Sequence, residues 1–291
     1  MTKMGELLLS LPGKFAGSIA GKGIIKFPFV MWIYGFIYKH FKPKGIVLNY
    51  IQGSEMYLDT RDVGIVPFLL AWGVYEKYET DVFKALIDKG MVVVDVGANI
   101  GYYTLLAARC VGEKGKVFAF EPEPYNYSLL LKNIEINGYR NIIPSRKAVF
   151  SKTGKMKMYL DKSNLGGHSL TEANVHKSVS ITIEVTSLDD YFKNSKYKID
   201  VIKLDVQGLE MDVLEGMKNI ITQNNNLKII TEFWPLGIRN SGSSPREFLN
   251  KLVESGFILY QIGRYLEPVN INQLLKNDNN KKAITLLCKK R

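Results

Sequence analysis

The chain has 291 residues, 46% of them apolar, and a formal net charge of +11; that is enough apolar matter for a buried core and too much for a disordered chain. Its two cysteines, Cys110 and Cys288, exclude a cysteine-based metal centre, argue against a disulfide framework and favour a reducing, cytoplasmic compartment. The charge sits at the ends: residues 1–45 carry seven lysines against Glu6, residues 276–291 carry six basic residues against Asp278, and the stretch between is close to neutral, which argues against nucleic acid as a partner of the domain face.

Residues 1–45 read as a basic, aromatic helical segment ahead of a domain over 46–291. Residues 27–38 carry no charge; Lys26 precedes them, and Lys39, His40 and Lys42 follow. Twelve such residues fall short of the ~20 needed to span a bilayer, and no small-residue cleavage site marks a signal peptide. Two readings stay open. The segment is a helix packed on the domain, or residues 24–44 rest on anionic lipid at the inner face of the membrane through flanking lysines.

A strand pair is expected over 46–51 and 55–59, then a helical pattern from Ile65 to Lys89 with Val82, Phe83, Leu86 and Ile87 on one face. After Gly90 the periods alternate: strand 92–96, helix 100–111, strand 116–121, helix 124–137, strand 142–149. A hairpin excursion over about 150–186 follows. Then come strand 199–206, helix 209–221, strand 227–233, helix 245–255 and strands 257–262 and 283–288. Alternation of this kind predicts an α/β fold, a Rossmann-like class I methyltransferase layout. Its sheet has seven strands, mostly parallel, with helices on both faces and an antiparallel C-terminal edge strand. The excursion would sit above the carboxyl edge, where substrates bind.

The chemistry concentrates at that edge. Val92-Val93-Val94-Asp95-Val96-Gly97-Ala98-Asn99-Ile100-Gly101 is a buried strand running into an acid and a glycine turn, and Lys116-Val117-Phe118-Ala119-Phe120-Glu121 is a second strand ending in a carboxylate. Such a turn brings bare backbone to a ligand, and the second carboxylate suits a ribose diol. A dinucleotide fold prefers G-x-G-x-x-G and a pyrophosphate. Here the acid inside the turn suits a ligand carrying an ammonium or a sulfonium, which favours S-adenosylmethionine over NAD. Asp205, Glu210 and Glu232 are the candidate bases for a hydroxyl acceptor, with His168 in the glycine-rich part of the excursion as base or substrate contact. Each has a plainer reading. Asp205 caps the next helix, Glu210 complements its dipole, Glu232 pairs with Lys203 or Arg239, and His168 is a solvent-exposed loop residue. Phe233, Trp234 and Pro235 form an apolar wall for an acceptor or part of the core. Of Tyr102 and Tyr103, one is expected to face the core and the other the mouth. No metal triad is visible by spacing.

These residues together resemble the FkbM family of S-adenosylmethionine-dependent methyltransferases. The resemblance runs from about Tyr75 to Glu232. It rests on Gly73-Val74-Tyr75-Glu76, the Val94–Thr104 stretch, Phe120-Glu121-Pro122, Asn133-Ile134, Asn137 and Ile202-Lys203-Leu204-Asp205-Val206-Gln207-Gly208-Leu209-Glu210. It implies that Asp95, Gly97, Asn99 and Gly101 form the cofactor turn, that Glu76 and Pro122 contribute to it, that Glu121 holds the ribose and that residues near Ala148 flank the adenine. It also implies O-methyl transfer to a sugar, glycan, glycolipid or secondary metabolite, with N-methyl transfer or a non-catalytic scaffold as alternatives. Nucleic-acid amino methylation would want an Asn- or Asp-Pro-Pro-aromatic motif where this chain has Asp205-Val206-Gln207-Gly208. One departure is visible: Gln207 stands where the family usually has glutamate, and an amide cannot serve as the base.

Overall fold

The structure is a computed structural model that describes Tyr38 and residues 42–161, 164–175, 179–276 and 283–290. The segment expected over 1–45 lies outside those residues except for Tyr38 and positions 42–45. Tyr38 packs against Leu70, Ala71 and Trp72, and its hydroxyl donates to the carbonyls of Thr60 (3.2 Å) and Asp62 (3.1 Å). Among the described residues no helix is long and apolar enough to cross a membrane.

The described chain opens with an antiparallel hairpin, β1 (Ile46–Ile51) and β2 (Ser54–Asp59). The helical pattern expected from Ile65 to Lys89 is two helices, α1 (Val66–Trp72) and α2 (Lys77–Leu86). They part at Gly73 and Glu76, both in left-handed backbone (φ 64° and 45°). Strand β3 (Val92–Val96), α3 (Tyr102–Val111), β4 (Lys116–Phe120) and α4 (Pro124–Ile136) follow. Proline at the first position and the Glu123 side chain, which accepts from the Asn126 N–H at 2.7 Å, start α4.

The strand expected over 142–149 is also two. β5 (Ile142–Ser145) stays in the large sheet. β6 (Ala148–Val149) leaves it to pair with β8 (Val179–Thr186), which pairs on its other side with β7 (Gly154–Leu160). This three-stranded sheet is the excursion, and it has its own small core of Ala148, Met158, Ile183 and Val185. Next come α5 (Leu188–Phe192), β9 (Val201–Leu204), α6 (Glu210–Glu215) and α7 (Lys218–Gln223). The break between α6 and α7 falls at Gly216, where a Cβ would lie 2.2 Å from the Phe150 carbonyl oxygen. The chain closes with β10 (Lys228–Phe233), α8 (Pro235–Asn240), α9 (Pro245–Glu254), β11 (Phe257–Ile262), β12 (Leu266–Pro268), α10 (Ile271–Lys276) and β13 (Ile284–Lys290).

The large sheet runs β12-β11-β13-β10-β9-β3-β4-β5. β10, β9, β3, β4 and β5 are mutually parallel, and β13 enters antiparallel between β10 and β11. This is the expected class I methyltransferase arrangement with one strand more. The eighth, β12, is three exposed residues with a proline, too short and too polar to show a period. The last strand therefore stands inside the sheet, and β12 takes the edge. Helices cover both faces. One core joins β1, β2, α1, α2, α3 and α4 to the sheet through residues such as Met56, Leu69, Phe83, Leu105 and Leu130. The other packs Leu188, Leu214, Ile220, Phe248 and Leu252 on the opposite face. Two asparagines of α4 and its C-cap tie the hairpin down: Asn133 Oδ1 accepts from the Tyr57 N–H (2.6 Å), and Asn137 Oδ1 accepts from the Glu55 N–H (2.8 Å).

Candidate active site at the strand tips

Side chains alternate along a strand even when both faces are buried, and here the alternation sorts the charges. Val93, Ala119, Val201 and Ile230 all face the first core. Two residues further along, Asp95, Glu121, Lys203 and Glu232 emerge on that same face at the carboxyl ends of β3, β4, β9 and β10. Parallel register sets Asp95 beside Lys203. A cavity of about 320 Å³ opens at these tips, and Asp95, Glu121, Lys203, Asp205 and Glu232 line it.

On the β3–β4 side the backbone does most of the shaping. Gly97 has φ 84°, and a Cβ there would lie 2.0 Å from the Asp205 carbonyl oxygen, so only glycine fits. Asn99 follows at φ 50°. Its N–H donates to Glu121 Oε2 (2.8 Å), and the Glu123 N–H donates to Glu121 Oε1 (2.9 Å). Burial nonetheless pushes the Glu121 carboxyl up to about 8, because two amide bonds do not replace a carboxylate's hydration. Asp95, 1% exposed, accepts from Thr104 Oγ1 at 2.6 Å. Burial raises its pKa while the Lys203 ammonium works the other way. The buried side-chain oxygens of Asn99 and Asn126 have no hydrogen-bond partner among the described residues, and both side chains line the cavity. Buried acceptors left open are costly. S-adenosylmethionine fits such a lining, because it brings a ribose diol, amines and a positive sulfur to a wall rich in acceptors.

Pro122 and Ala148 line the same cavity. Gly101 and Glu76 do not. Gly101 stands at the start of α3 beneath the turn, where a Cβ would lie 2.7 Å from Leu130 Cδ1. Glu76 lies one layer back, accepting from the Tyr103 hydroxyl at 3.0 Å. Tyr102 and Tyr103 both line the cavity, so the expected division of one to the core and one to the mouth does not hold.

On the β9–β10 side the acids are held by side chains. Asp205 Oδ2 meets Lys203 Nζ at 3.2 Å, and Oδ1 accepts from Gln207 Nε2 at 3.0 Å. Asp205 is no helix cap: α6 starts five residues on, behind Leu209, with no side-chain capping bond. The amide at Gln207 thus donates to Asp205, where an acid would have repelled it. Glu232 also lines the cavity, and its buried Oε2 has no hydrogen-bond partner among the described residues. Burial holds its carboxyl well above the ordinary range, reinforced by Asp205, Glu210 and Glu76. Glu210 is fully buried and does not line the cavity. Its Oε1 accepts from the Gly208 N–H at 3.2 Å beneath the turn, and burial pushes it up to about 7. Trp234 does not reach the cavity; it packs on Gly237 at the start of α8.

The loop between β7 and β8 roofs the cleft with Asn164, Leu165, Gly166 and His168. Asn126 Nδ2 fastens it by donating to the Leu165 carbonyl at 2.7 Å. His168 is half-buried rather than solvent-exposed. Its Nδ1 accepts from the Asp161 N–H at 3.0 Å, which places the proton of the neutral ring on Nε2. Burial lowers its pKa, with Glu123 and Asp161 opposing. In that state His168 offers a donor rather than a base. Lys203, Tyr75 and Asn126 are lining residues that the sequence reading did not single out as site residues. For Lys203 the signal was present: a lysine inside Val201-Ile202-Lys203-Leu204, a central strand where a charge has no structural reason to be.

The model of the Methyltransferase FkbM domain matches residues 95–259. The hexuronic acid methyltransferase AglP of Haloferax volcanii is 30% identical over 151 residues, half of this chain and 59% of that protein. The methyltransferase sdnD of Sordaria araneosa is 26% identical over 181 residues, 50% of this chain and 68% of that one. This chain thus spans little more than half the length of the archaeal relative. Among solved structures, an S-adenosylmethionine-dependent O-methyltransferase from Thermotoga maritima aligns over 87% of this chain and 81% of its own at 15% identity and a TM-score of 0.43.

Proposed function

Because this chain belongs to the FkbM methyltransferase family, with S-adenosylmethionine as its cofactor, we propose that it is an enzyme moving a methyl group to a hydroxyl of a sugar, glycan or related metabolite. The cofactor supplies a methyl on positively charged sulfur. Glu121 and the turn from Asp95 to Asn99 bind and orient it, and the acids of the lining complement its charge. Transfer is an in-line displacement, so the acceptor oxygen needs a base on the side away from the sulfur. Asp205 is that base in this reading: it lines the cavity, keeps part of its side chain open to solvent and is aimed by two donors. Glu232 is the second acid of the acceptor side, and His168 hydrogen-bonds the acceptor from the roof.

The observation that carries the reading is the meeting, in one cavity, of a glycine turn bonded to Glu121 and a half-open Asp205 at the neighbouring strand tip. A sugar acceptor is favoured by the likeness to a hexuronic acid methyltransferase. The test pairs calorimetry, using S-adenosylmethionine, with labelled-methyl transfer to a glycan and lipid extract of the source cell. Binding heat and label in a glycan-bearing fraction are expected. Absence of binding heat defeats the reading, and label on an amine defeats the hydroxyl assignment.

A further inference from the structure

We propose that Lys203 is the positioning residue of the acceptor side: its ammonium, held against the Tyr103 ring, fixes Asp205 as the group that takes the acceptor's proton. The proposal rests on the methyl-transfer reading above. Lys203 is 5% exposed, in the middle of the parallel sheet. Its Nζ lies 3.2 Å from Asp205 Oδ2 and 4.3 Å from the centroid of the Tyr103 ring. Strand and ring leave the ammonium little freedom, and a cation over an aromatic face is held there electrostatically.

The need for it comes from the crowd around Asp205. Glu76 approaches from the turn between α1 and α2, Asp95 from β3, Glu210 from α6 and Glu232 from β10. The Tyr75 hydroxyl, from the same turn as Glu76, is a weak acid in that field and is driven further from ionising, first by burial and then by these carboxylates. Several acids so close cannot all carry charge. Glu76 and Glu232 are raised by burial, whereas Asp205 has two donors, Lys203 and Gln207, on its two oxygens. Burial works against the Lys203 ammonium, yet Asp205, Glu76 and Asp95 together outweigh it, so the lysine stays charged. The cluster therefore sorts itself: Asp205 is held by a donor on each oxygen, whereas Glu232, raised by burial and by its acidic neighbours, keeps its proton. In the transfer step the acceptor oxygen bonds to the methyl carbon as the carbon–sulfur bond breaks. The sulfur keeps the electron pair, and the hydroxyl proton passes to Asp205.

The test compares the full chain as wild type, Lys203→Met, Asp205→Asn and the double variant, with Lys203→Gln in place of the methionine variant if that fails to fold. Calorimetry with S-adenosylmethionine is run beside labelled-methyl transfer to the glycan and lipid extract from pH 5.5 to 9. Cofactor affinity is expected to stay within about threefold for Lys203→Met, while transfer at saturating cofactor falls about 100-fold or more. The double variant should transfer no more slowly than Asp205→Asn, because the lysine acts through that carboxylate. Lys203 is instead a cofactor or packing residue if Lys203→Met loses cofactor affinity with its saturated rate intact. The same follows if the double variant shows the product of the two single losses. Wild-type protein giving no heat with S-adenosylmethionine brings down the functional reading itself, and this proposal with it.

Discussion

The two halves of the cavity are built by different means. On the β3–β4 side a glycine turn presses against β9, and backbone amides of Asn99 and Glu123 hold Glu121. On the β9–β10 side Asp205 and Glu232 are governed by other side chains: Lys203, Gln207 and the neighbouring acids. Backbone scaffolding is rigid and demands particular backbone angles, so it tolerates no side chain at Gly97. Side-chain scaffolding is electrostatic, so it is tunable and pH-sensitive. In the proposed reading the β3–β4 side is the cofactor half and the β9–β10 side the acceptor half; the first should accordingly break sharply on substitution, and the second should shift its ionisation first.

Gly97→Ala is the largest expected break. It adds a Cβ 2.0 Å from the Asp205 carbonyl oxygen at φ 84°. Left-handed strain and overpacking together cost about 2–5 kcal/mol. Thermal denaturation should show a clear fall in the midpoint, and S-adenosylmethionine should give no binding heat at ordinary concentrations. An alanine variant that binds normally would mean the turn is soft.

Glu121→Gln sharpens the contrast. Losing a charged acceptor of hydroxyls should weaken cofactor binding by about 10- to 100-fold. Stability should move the other way. Glu121 holds its proton up to about pH 8 in the fold, whereas an unfolded glutamate releases it near its ordinary value. Between those values the folded state binds more protons, so wild-type stability falls as pH rises through that window. The cofactor-free glutamine variant should therefore melt higher than wild type at pH 8 and with a flatter pH dependence. For the same reason, binding a cationic cofactor to wild type should release protons. Calorimetry in two buffers of different ionisation heat reads that release, and an identical apparent heat in both would show that the acids are already ionised.

The smallest expected effect is at the roof. His168→Ala removes one donor beside the acceptor, so methyl transfer should fall about 5- to 10-fold, the value of one ordinary hydrogen bond, with cofactor affinity unchanged. A collapse of cofactor binding instead would place the roof in the cofactor half.

Much of this was legible before any coordinates. The alternation of strand and helix periods predicts the parallel sheet, and Asp95, Gly97 and Glu121 are neighbours in sequence of strand ends, so their arrival at one edge follows from topology. Boundaries were less legible. The helix over 65–89 breaks because left-handed backbone at Gly73 and Glu76 interrupts an unbroken apolar pattern. The strand over 142–149 divides because β6 finds a partner in β8, more than thirty residues away.

The amino-acid sequence by itself determined the sheet, the glycine turn and the ranks of acids at the strand tips, because local periods and backbone demands are written in adjacent residues. Only the tertiary structure decided what each acid meets. Glu210 is tucked under a turn, Glu76 stands behind Tyr103, Trp234 is turned away onto Gly237, and Lys203 is matched to Asp205. The acids that act on one another come from segments as far apart as residues 76 and 232. In a buried site such long-range company, more than residue type, governs where charge and protons reside.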